Sequence, residues 1–149
     1  MKTPPKGPIR LQISSAPSQL PVVRAAVEKM CELVGFDVES AGGITLSVDE
    51  ALTNIIRHAY DGAEDKPIEI ELLPRSGPRG IQISLRDYGR QVDPSRIKPR
   101  DLSDIKPGGL GVHIMQHCLD HVQYTRPTGG GTLLTLVKNI LPKKENDKV

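Results

Sequence analysis

Two adjacent segments of the chain alternate apolar and polar residues, and this alternation constrains the fold more than any other feature. They are residues 67–73 (PIEIELL) and 80–87 (GIQISLRD), joined by the Pro- and Gly-containing stretch 74–78. A period of two is typical of a β-strand with one buried and one exposed face. Two such strands so close in sequence are expected to pair as an antiparallel hairpin, and their buried face then needs a second layer.

The remaining patterns predict three more strands and three helices. The strand-like segments are residues 9–14, 121–126 and 132–139, and the helix-like segments are about residues 20–34, 44–60 and 110–119. This order predicts a two-layer α/β sandwich, in which a mixed, mainly antiparallel sheet is covered on one face by three helices. The domain should span residues 9–140, between flexible tails at residues 1–8 and 141–149.

The composition argues against several classes of partner. The 149 residues suffice for one domain, and 20 basic against 18 acidic residues give a net charge of only +2. With one Phe, three Tyr and no Trp, the chain has few platforms for stacking single-stranded nucleic acid. Cys31 and Cys118 belong to no metal-binding spacing, so buried thiols are favoured over a disulfide or a redox switch. No apolar run reaches transmembrane length, so we expect a cytoplasmic protein without nucleic-acid or membrane partners.

The predicted helix at residues 44–60 carries an acid and an amide on one face. Glu50 and Asn54 are one turn apart, which places their Cβ atoms about 6 Å from each other. Asn54 offers a neutral oxygen that suits Mg²⁺, a cation that prefers oxygen ligands and keeps several waters while it bridges phosphates. The alternatives are a solvated amide and an exposed acid paired with a neighbouring Arg.

A glycine cluster, Gly108-Gly109-Leu110-Gly111, stands where a loop becomes a helix. Free N–H groups at a helix N-terminus attract phosphate, although the glycines alone are equally compatible with a turn that binds nothing. The preceding residues 90–107 are irregular and hold five basic and three acidic side chains. Long irregular stretches inside a compact domain are usually functional or mobile. Neither a Walker A motif nor a G-x-G-x-x-G fingerprint occurs, so a P-loop or Rossmann site is not indicated.

Four segments together resemble the ATP-binding domain shared by gyrase, histidine kinases, MutL and the heat-shock chaperone of that fold. The segments are EALTNIIRHAY (50–60), similar to the N-box, LRDYG (85–89) and GGLGVHIM (108–115), similar to the two glycine boxes, and GGGTLLTLV (129–137), similar to the last strand pair. Within this GHKL superfamily the chain looks closest to the bacterial anti-sigma-factor serine kinases. The resemblance covers roughly residues 9–140 and implies the histidine kinase-like ATPase (Bergerat) fold.

The resemblance also implies roles for individual residues. Asn54 would bind Mg²⁺, and Glu50 would act as general base on a protein hydroxyl. Asp87 would accept a hydrogen bond from the exocyclic amine of adenine. The other implied nucleotide contacts are His58, Gly89, Gly108, Gly109, Leu110, Gly111, Val112 and Thr132. ATP would then lie between the Asn54 helix and the glycine cluster, with residues 90–107 closing over its phosphates.

The leading hypothesis is a Mg²⁺- and ATP-dependent serine/threonine protein kinase that also acts as an anti-sigma factor. By resemblance, it would phosphorylate a STAS-domain antagonist, bind a sigma factor in another state, and form a homodimer. The first glycine box lacks its second glycine, since Gln91 stands there, a departure that the kinase branch tolerates. The alternatives are a nucleotide-dependent partner switch that does not phosphorylate, an ATPase module whose output domain lies on another chain, and a silent scaffold.

Overall fold

The computed structural model describes residues 3–90 and 118–141, which form a single five-stranded sheet with two helices packed on one face. The strands are β1 (Ile9–Ser14), β2 (Pro67–Ser76), β3 (Arg79–Asp87), β4 (His121–Thr125) and β5 (Thr132–Asn139). Their order in the sheet is β1-β2-β3-β5-β4, and every neighbouring pair is antiparallel. The predicted strands and the mainly antiparallel sheet are therefore confirmed.

The β2–β3 hairpin is longer than the alternation alone predicted. Pro74 was expected in the turn but lies in β2 opposite Ile81, and pairing continues as far as Ser76 opposite Arg79. Proline is compatible with this position because the pairing of β2 with β1 ends at Leu72, so no ladder bond to β1 requires an amide at Pro74.

The second helix begins earlier than the sequence predicted. The first helix, α1 (Leu20–Val34), ends at Gly35, and α2 (Val38–Asn54) starts at Val38 rather than near residue 44. Asp37 provides the N-cap, because its side chain accepts a hydrogen bond of 2.7 Å from the amide of Ser40. The weak helix formers Gly42 and Gly43 in the first turns concealed this start. After Asn54 the chain continues as one π-helical turn, Ile55–Ala59.

The core lies between the helices and one face of the sheet. Fully buried side chains from both layers include Val23, Val27, Ile44, Leu52, Ile68, Ile70, Ile83, Leu85 and Leu136. The opposite face of β1 and β2 carries polar residues, such as the Arg10–Glu71 ion pair with a 3.0 Å contact. The two-layer α/β sandwich is thus confirmed, while the predicted third helix, residues 110–119, falls almost entirely outside the described residues.

The two cysteines are free thiols, as predicted. Cys31 is buried, and this burial, with a smaller contribution from Glu28, raises the pKa of its thiol to about 12. A thiol with so high a pKa holds almost no nucleophilic thiolate at neutral pH. Within residues 3–90 and 118–141, no helix combines the length and the apolar character needed to cross a bilayer.

Candidate active site

A cavity opens where the end of α2 and the π-helical turn face the sheet. Residues from both layers line it: Ala51, Asn54, Ile55, His58, Ala59, Asp87, Tyr124, Thr132 and Leu134. Four of these were predicted as nucleotide contacts, namely Asn54, His58, Asp87 and Thr132. The fold therefore brings together predicted site residues from three separate segments of the chain.

The packing of α2 brings Asn54 to the border of this cavity. Ala51 and Leu52 are buried against the core, whereas Asn54 is half-buried and lines the cavity. Glu50, one turn earlier, is also half-buried, and its Oε2 is shielded from solvent without a hydrogen-bond partner in the described part of the chain. A buried acceptor that lacks a donor is costly, so it marks a place where a donor or a cation can be accommodated.

Asp87 is the last residue of β3 and forms the buried floor of the cavity. Its side chain is only 3% exposed, and it lies directly opposite Thr132 of β5. The amide of Gly89 donates to Asp87 Oδ1 over 3.0 Å, and the backbone of Thr132 also donates to this carboxyl group. Burial nevertheless raises the pKa of Asp87, since these hydrogen bonds and the nearby Arg86 only partly compensate for the loss of water.

Thr132 adds a hydroxyl beside this carboxyl group. It is 7% exposed, and its Oγ1 is buried without a hydrogen-bond partner among the residues that the structure describes. A hydroxyl can donate and accept, whereas the ionised carboxylate of Asp87 only accepts. Together the two groups fit the edge of a heteroaromatic ring that bears an amine next to a ring nitrogen.

The walls of the cavity suit a flat, apolar ring. The apolar lining of the cavity comes from Ile55, Tyr124 and Leu134 together with Ala51 and Ala59, and burial raises the pKa of the Tyr124 hydroxyl. Binding sites of this type combine apolar walls with a few placed polar groups. The cavity thus has one end at Asp87 and Thr132 that could accept a heterocyclic base, and a polar end at Asn54, with Glu50 one helical turn away outside the lining, that suits phosphate with its cation.

The donor set at the polar end fits magnesium held jointly with phosphate. In residues 3–90 and 118–141 no group of three His, Cys, Asp or Glu side chains is arranged to hold a metal by itself. Mg²⁺ is commonly bound by one or two protein oxygens together with substrate phosphates and water. The side-chain oxygen of Asn54 is of this kind.

Gly89 allows the loop after β3 to lie directly against the π-helical turn. A Cβ atom at this position would be 2.3 Å from the carbonyl oxygen of Ala59 and 2.8 Å from the ring of Tyr60. Gly131 is constrained in a similar way, because its φ is +70° and a Cβ atom would be 2.0 Å from the carbonyl oxygen of Asp87. Neither position accepts a side chain without movement of the backbone around Asp87.

We expect Gly89→Ala to lower the free energy of unfolding by about 1–3 kcal/mol, because the added methyl group overlaps backbone atoms. The matched control is Gly42→Ala in α2, where a Cβ atom meets nothing within 4 Å in the described part of the chain. This control should raise the free energy of unfolding by about 0.5–1 kcal/mol, since alanine is the better helix former. Urea unfolding of both variants measures the two changes, and equal effects would contradict the close approach at Gly89.

Some predicted site residues fall outside the part of the chain that the structure describes, and two residues near the cavity were not predicted. Residues 108–112 (Gly108, Gly109, Leu110, Gly111 and Val112) lie outside the described residues, as do residues 91–107. Sequence reasoning missed Tyr124 as a cavity wall and Gly131 as a contact of Asp87. A strand pattern alone does not say which face of the sheet carries Tyr124. The sheet order is what brings Tyr124 beside β5 and the cavity.

A family model for the histidine kinase-like ATPase domain matches residues 13–138. The chain belongs to this family. The serine-protein kinase RsbW of Listeria monocytogenes is 27% identical over 148 residues, which cover 94% of this chain and 93% of that protein. The serine/threonine-protein kinase BtrW of Bordetella bronchiseptica is 35% identical over 104 residues, which cover 67% of this chain and 71% of that protein.

Solved structures agree with the fold. The RsbU and RsbW domains of Rv1364c from Mycobacterium tuberculosis match with a TM-score of 0.65 at 18% identity, over 91% of this chain and 33% of that chain. The SiaB–SiaC complex from Pseudomonas aeruginosa matches with a TM-score of 0.66 at 11% identity, over 87% of this chain and 88% of that chain. The predicted superfamily and the predicted class of enzyme, a serine/threonine protein kinase that uses ATP, are confirmed.

Proposed function

We propose that this kinase transfers the γ-phosphoryl group of ATP to a hydroxyl of a STAS-domain anti-sigma-factor antagonist, and that in another state it sequesters a sigma factor. The observation that carries the proposal is one cavity lined by Asp87, a buried carboxyl group, and by Asn54, with the buried Oε2 of Glu50 one helical turn from Asn54. The two ends of this cavity would bind the base and the phosphates of one nucleotide. The relatives named serine-protein kinase RsbW support the choice of a protein hydroxyl as acceptor.

At the base-binding end, Asp87 and Thr132 select adenine. An ionised Asp87 accepts a hydrogen bond from an exocyclic amine, and guanine presents a carbonyl oxygen at the equivalent position, which would face the carboxylate without a proton between them. The Thr132 hydroxyl, which lacks a partner among the described residues, can donate to a ring nitrogen or accept from the amine.

At the phosphate end, Glu50 and Asn54 act on the reacting group. The acceptor hydroxyl gives its proton to a carboxylate oxygen of Glu50 while its oxygen bonds to the γ-phosphorus, and the bond from that phosphorus to the β,γ-bridging oxygen breaks to release ADP. The buried, unpaired Oε2 of Glu50 has the free acceptor capacity that this step requires. Mg²⁺ held by Asn54 would supply charge neutralisation at the phosphate oxygens.

The remaining proposed contacts follow from the family resemblance. His58 lines the cavity with its side chain exposed, so it can reach a ligand from the solvent side. The glycine cluster at residues 108–112 would receive the phosphates. We propose the sigma factor and the homodimer on the resemblance alone, and light scattering of the purified protein measures the oligomeric state directly.

A phosphotransfer assay separates this proposal from its main rival, a nucleotide-dependent switch that does not phosphorylate. Purified protein is incubated with [γ-³²P]ATP and a candidate STAS-domain antagonist, and the label on the antagonist is measured. The proposal expects label that depends on Glu50. Nucleotide-dependent binding of the antagonist without any label would support the rival.

Nucleotide binding should also be visible as thermal stabilisation. ATP with Mg²⁺ at about 100 times its dissociation constant should stabilise the fold by about 2.7 kcal/mol. For a domain of this size that is a rise in melting temperature of roughly 5–11 °C. Asn54→Ala should remove the part of this rise that depends on Mg²⁺, because the metal loses its protein ligand.

Thr53→Ala is the matched control for Asn54→Ala. The Thr53 hydroxyl bonds back to the carbonyl of Asp49 in the same helix over 2.9 Å, and Thr53 does not line the cavity. This variant should keep the full Mg²⁺-dependent rise. A rise in Asn54→Ala equal to that of the control would show that Asn54 does not hold the metal.

A further inference from the structure

The π-helical turn after Asn54 leaves two backbone carbonyl groups without partners inside the helix. The amide of Tyr60 bonds to the carbonyl of Ile55 over 3.1 Å, and the amide of Gly62 bonds to that of Ile56 over 2.8 Å. In an α-helix, the amide of Gly62 would instead bond to the carbonyl of His58. The carbonyls of His58 and Ala59 are therefore available to another part of the chain.

Arg90 donates hydrogen bonds to both of these carbonyl groups. Its backbone amide donates to Ala59 over 2.9 Å, and its Nη2 donates to His58 over 3.1 Å. The same guanidinium nitrogen also lies 3.3 Å from Asp61 Oδ1. Arg90 comes one residue after Gly89, so the loop after β3 is attached to the helix at the place where Gly89 makes the close approach possible.

Tyr60 makes a second attachment between the helix end and the sheet. Its hydroxyl donates to the carbonyl of Pro67 over 2.6 Å and accepts from the amide of Tyr88 over 2.8 Å. The side chain is 8% exposed, and burial raises the pKa of its hydroxyl, which keeps the donated proton in place. One buried hydroxyl thus joins the helix end to the start of β2 and to the residue that follows Asp87.

We propose that Tyr60 and Arg90 are positioning residues that set the distance between the two ends of the nucleotide site. Their contacts with residues 58–61 and 88, called here the Tyr60–Arg90 clasp, connect the segment that carries Asn54 to the segment that carries Asp87. The inference rests on the proposed nucleotide site and deepens it. Neither side chain lines the cavity, so each would act through the placement of Asn54 and Asp87.

The clasp should affect simultaneous binding at both ends more than binding at either end alone. Adenosine uses only the base-binding end, whereas Mg·ADP must engage Asp87 and Asn54 at once. When the clasp fixes the distance between Asn54 and Asp87, binding costs little conformational entropy. When the clasp is loose, the ligand must order both segments on binding, which weakens its affinity. A loosened clasp should therefore leave the adenosine affinity intact and weaken Mg·ADP.

The test compares adenosine and Mg·ADP by isothermal titration calorimetry on four proteins: wild type, Tyr60→Phe, Arg90→Ala and Arg90→Lys. For Tyr60→Phe and Arg90→Ala we expect the ratio of the adenosine to the Mg·ADP dissociation constant to fall by about 3–10-fold, as expected for the loss of one or two hydrogen bonds. The adenosine constant itself should stay within about twofold of wild type. Arg90→Lys keeps one donor and should recover part of the ratio.

Two control variants are matched to these substitutions. Tyr88→Phe loses the contact of its hydroxyl with Glu69 but keeps the amide that Tyr60 binds. Arg10→Ala loses a surface ion pair with Glu71 on the far face of the sheet. Both should keep the wild-type ratio. Arg90 is exposed, so Arg90→Ala serves if Tyr60→Phe does not fold.

The outcomes separate the clasp from the proposed function. An unchanged ratio, or an equal loss of affinity for both ligands, would overturn the clasp while the nucleotide site stands. A wild-type protein that binds neither ligand would overturn the site and the clasp together.

Discussion

Replacing Glu50 by Gln should slow phosphoryl transfer by about 10²–10⁴-fold, the usual contribution of a general base, and leave the ATP affinity within about twofold. The amide keeps the size of the side chain but cannot accept the proton of the acceptor hydroxyl. Glu50 does not line the base-binding cavity, and its buried Oε2 is unpaired among the described residues, so its removal takes no contact from adenine. Single-turnover transfer of ³²P to the antagonist measures the rate, and calorimetry measures the affinity.

Asp49→Asn is the matched control for Glu50→Gln. Asp49 is the preceding acid on the same helix, and it forms a 2.8 Å ion pair with Arg24 of α1 instead of facing the cavity. Exposed ion pairs of this kind contribute little to stability, so the variant should fold and transfer phosphate at the wild-type rate. An equal loss of ATP binding and transfer in Glu50→Gln would mean that Glu50 binds the nucleotide and is not a base.

Asp87→Asn should weaken ATP binding by about 10–100-fold, which corresponds to the loss of a hydrogen bond to a charged acceptor. It should also reduce the preference for ATP over GTP, because an amide can turn either its oxygen or its nitrogen towards the base. Competition of ATP and GTP against a fluorescent nucleotide measures both effects. Retention of the wild-type preference would contradict the assignment of Asp87 to the base.

The same variant should change how the stability of the fold depends on pH. Because burial raises the pKa of Asp87, the folded state binds more protons than the unfolded state between the ordinary value of 3.8 and the raised value. The free energy of unfolding contributed by this group therefore falls as the pH rises through that window. Asn carries no charge, so the free energy of unfolding of Asp87→Asn should not show this fall as the pH rises. ATP affinity, in contrast, should fall as the pH drops through the raised pKa and Asp87 becomes protonated.

Asp37→Ala is a control for the removal of an acidic side chain, because the pKa of Asp37 is shifted in the direction opposite to that of Asp87. The pKa of Asp37 is lowered, first by its hydrogen bond from the backbone of Ser40. Its contribution to stability is present above the ordinary Asp pKa and is lost as the pH falls through the lowered value. Removal of this N-cap should lower the melting temperature at pH 7 and leave the ATP affinity unchanged.

The fold could be predicted from the sequence wherever a local pattern carries the information. The alternation in β1, β2 and β3 and the three- to four-residue spacing in α1 reflect burial on one face, so these strands and the first helix follow directly. The start of α2 did not follow, because Asp37 caps a first turn in which Gly42 and Gly43 obscure the helical pattern. The predicted end of β2 came too early, since only the end of the β1 pairing shows that Pro74 can lie in a strand.

The sequence predicted the polar residues of the candidate site but not the contacts that hold the surrounding backbone in place. Asn54, Asp87 and Thr132 stand in motifs whose order resembles a known family, and the fold places them around one cavity. The contacts that hold this cavity in shape depend on backbone geometry that no motif encodes. Tyr60 and Arg90 are examples, because Arg90 bonds to carbonyl groups at the end of the π-helical turn, and Tyr60 bonds to the carbonyl of Pro67 and the amide of Tyr88.

The proposed site requires one nucleotide that reaches from Asp87 to a magnesium ion at Asn54. Calorimetric titration of the wild-type protein with ATP, with and without Mg²⁺, tests this most directly. We predict binding that Mg²⁺ strengthens, with the strengthening lost in Asn54→Ala and the base-dependent affinity lost in Asp87→Asn. No heat of binding at millimolar ATP with Mg²⁺ present would contradict the account.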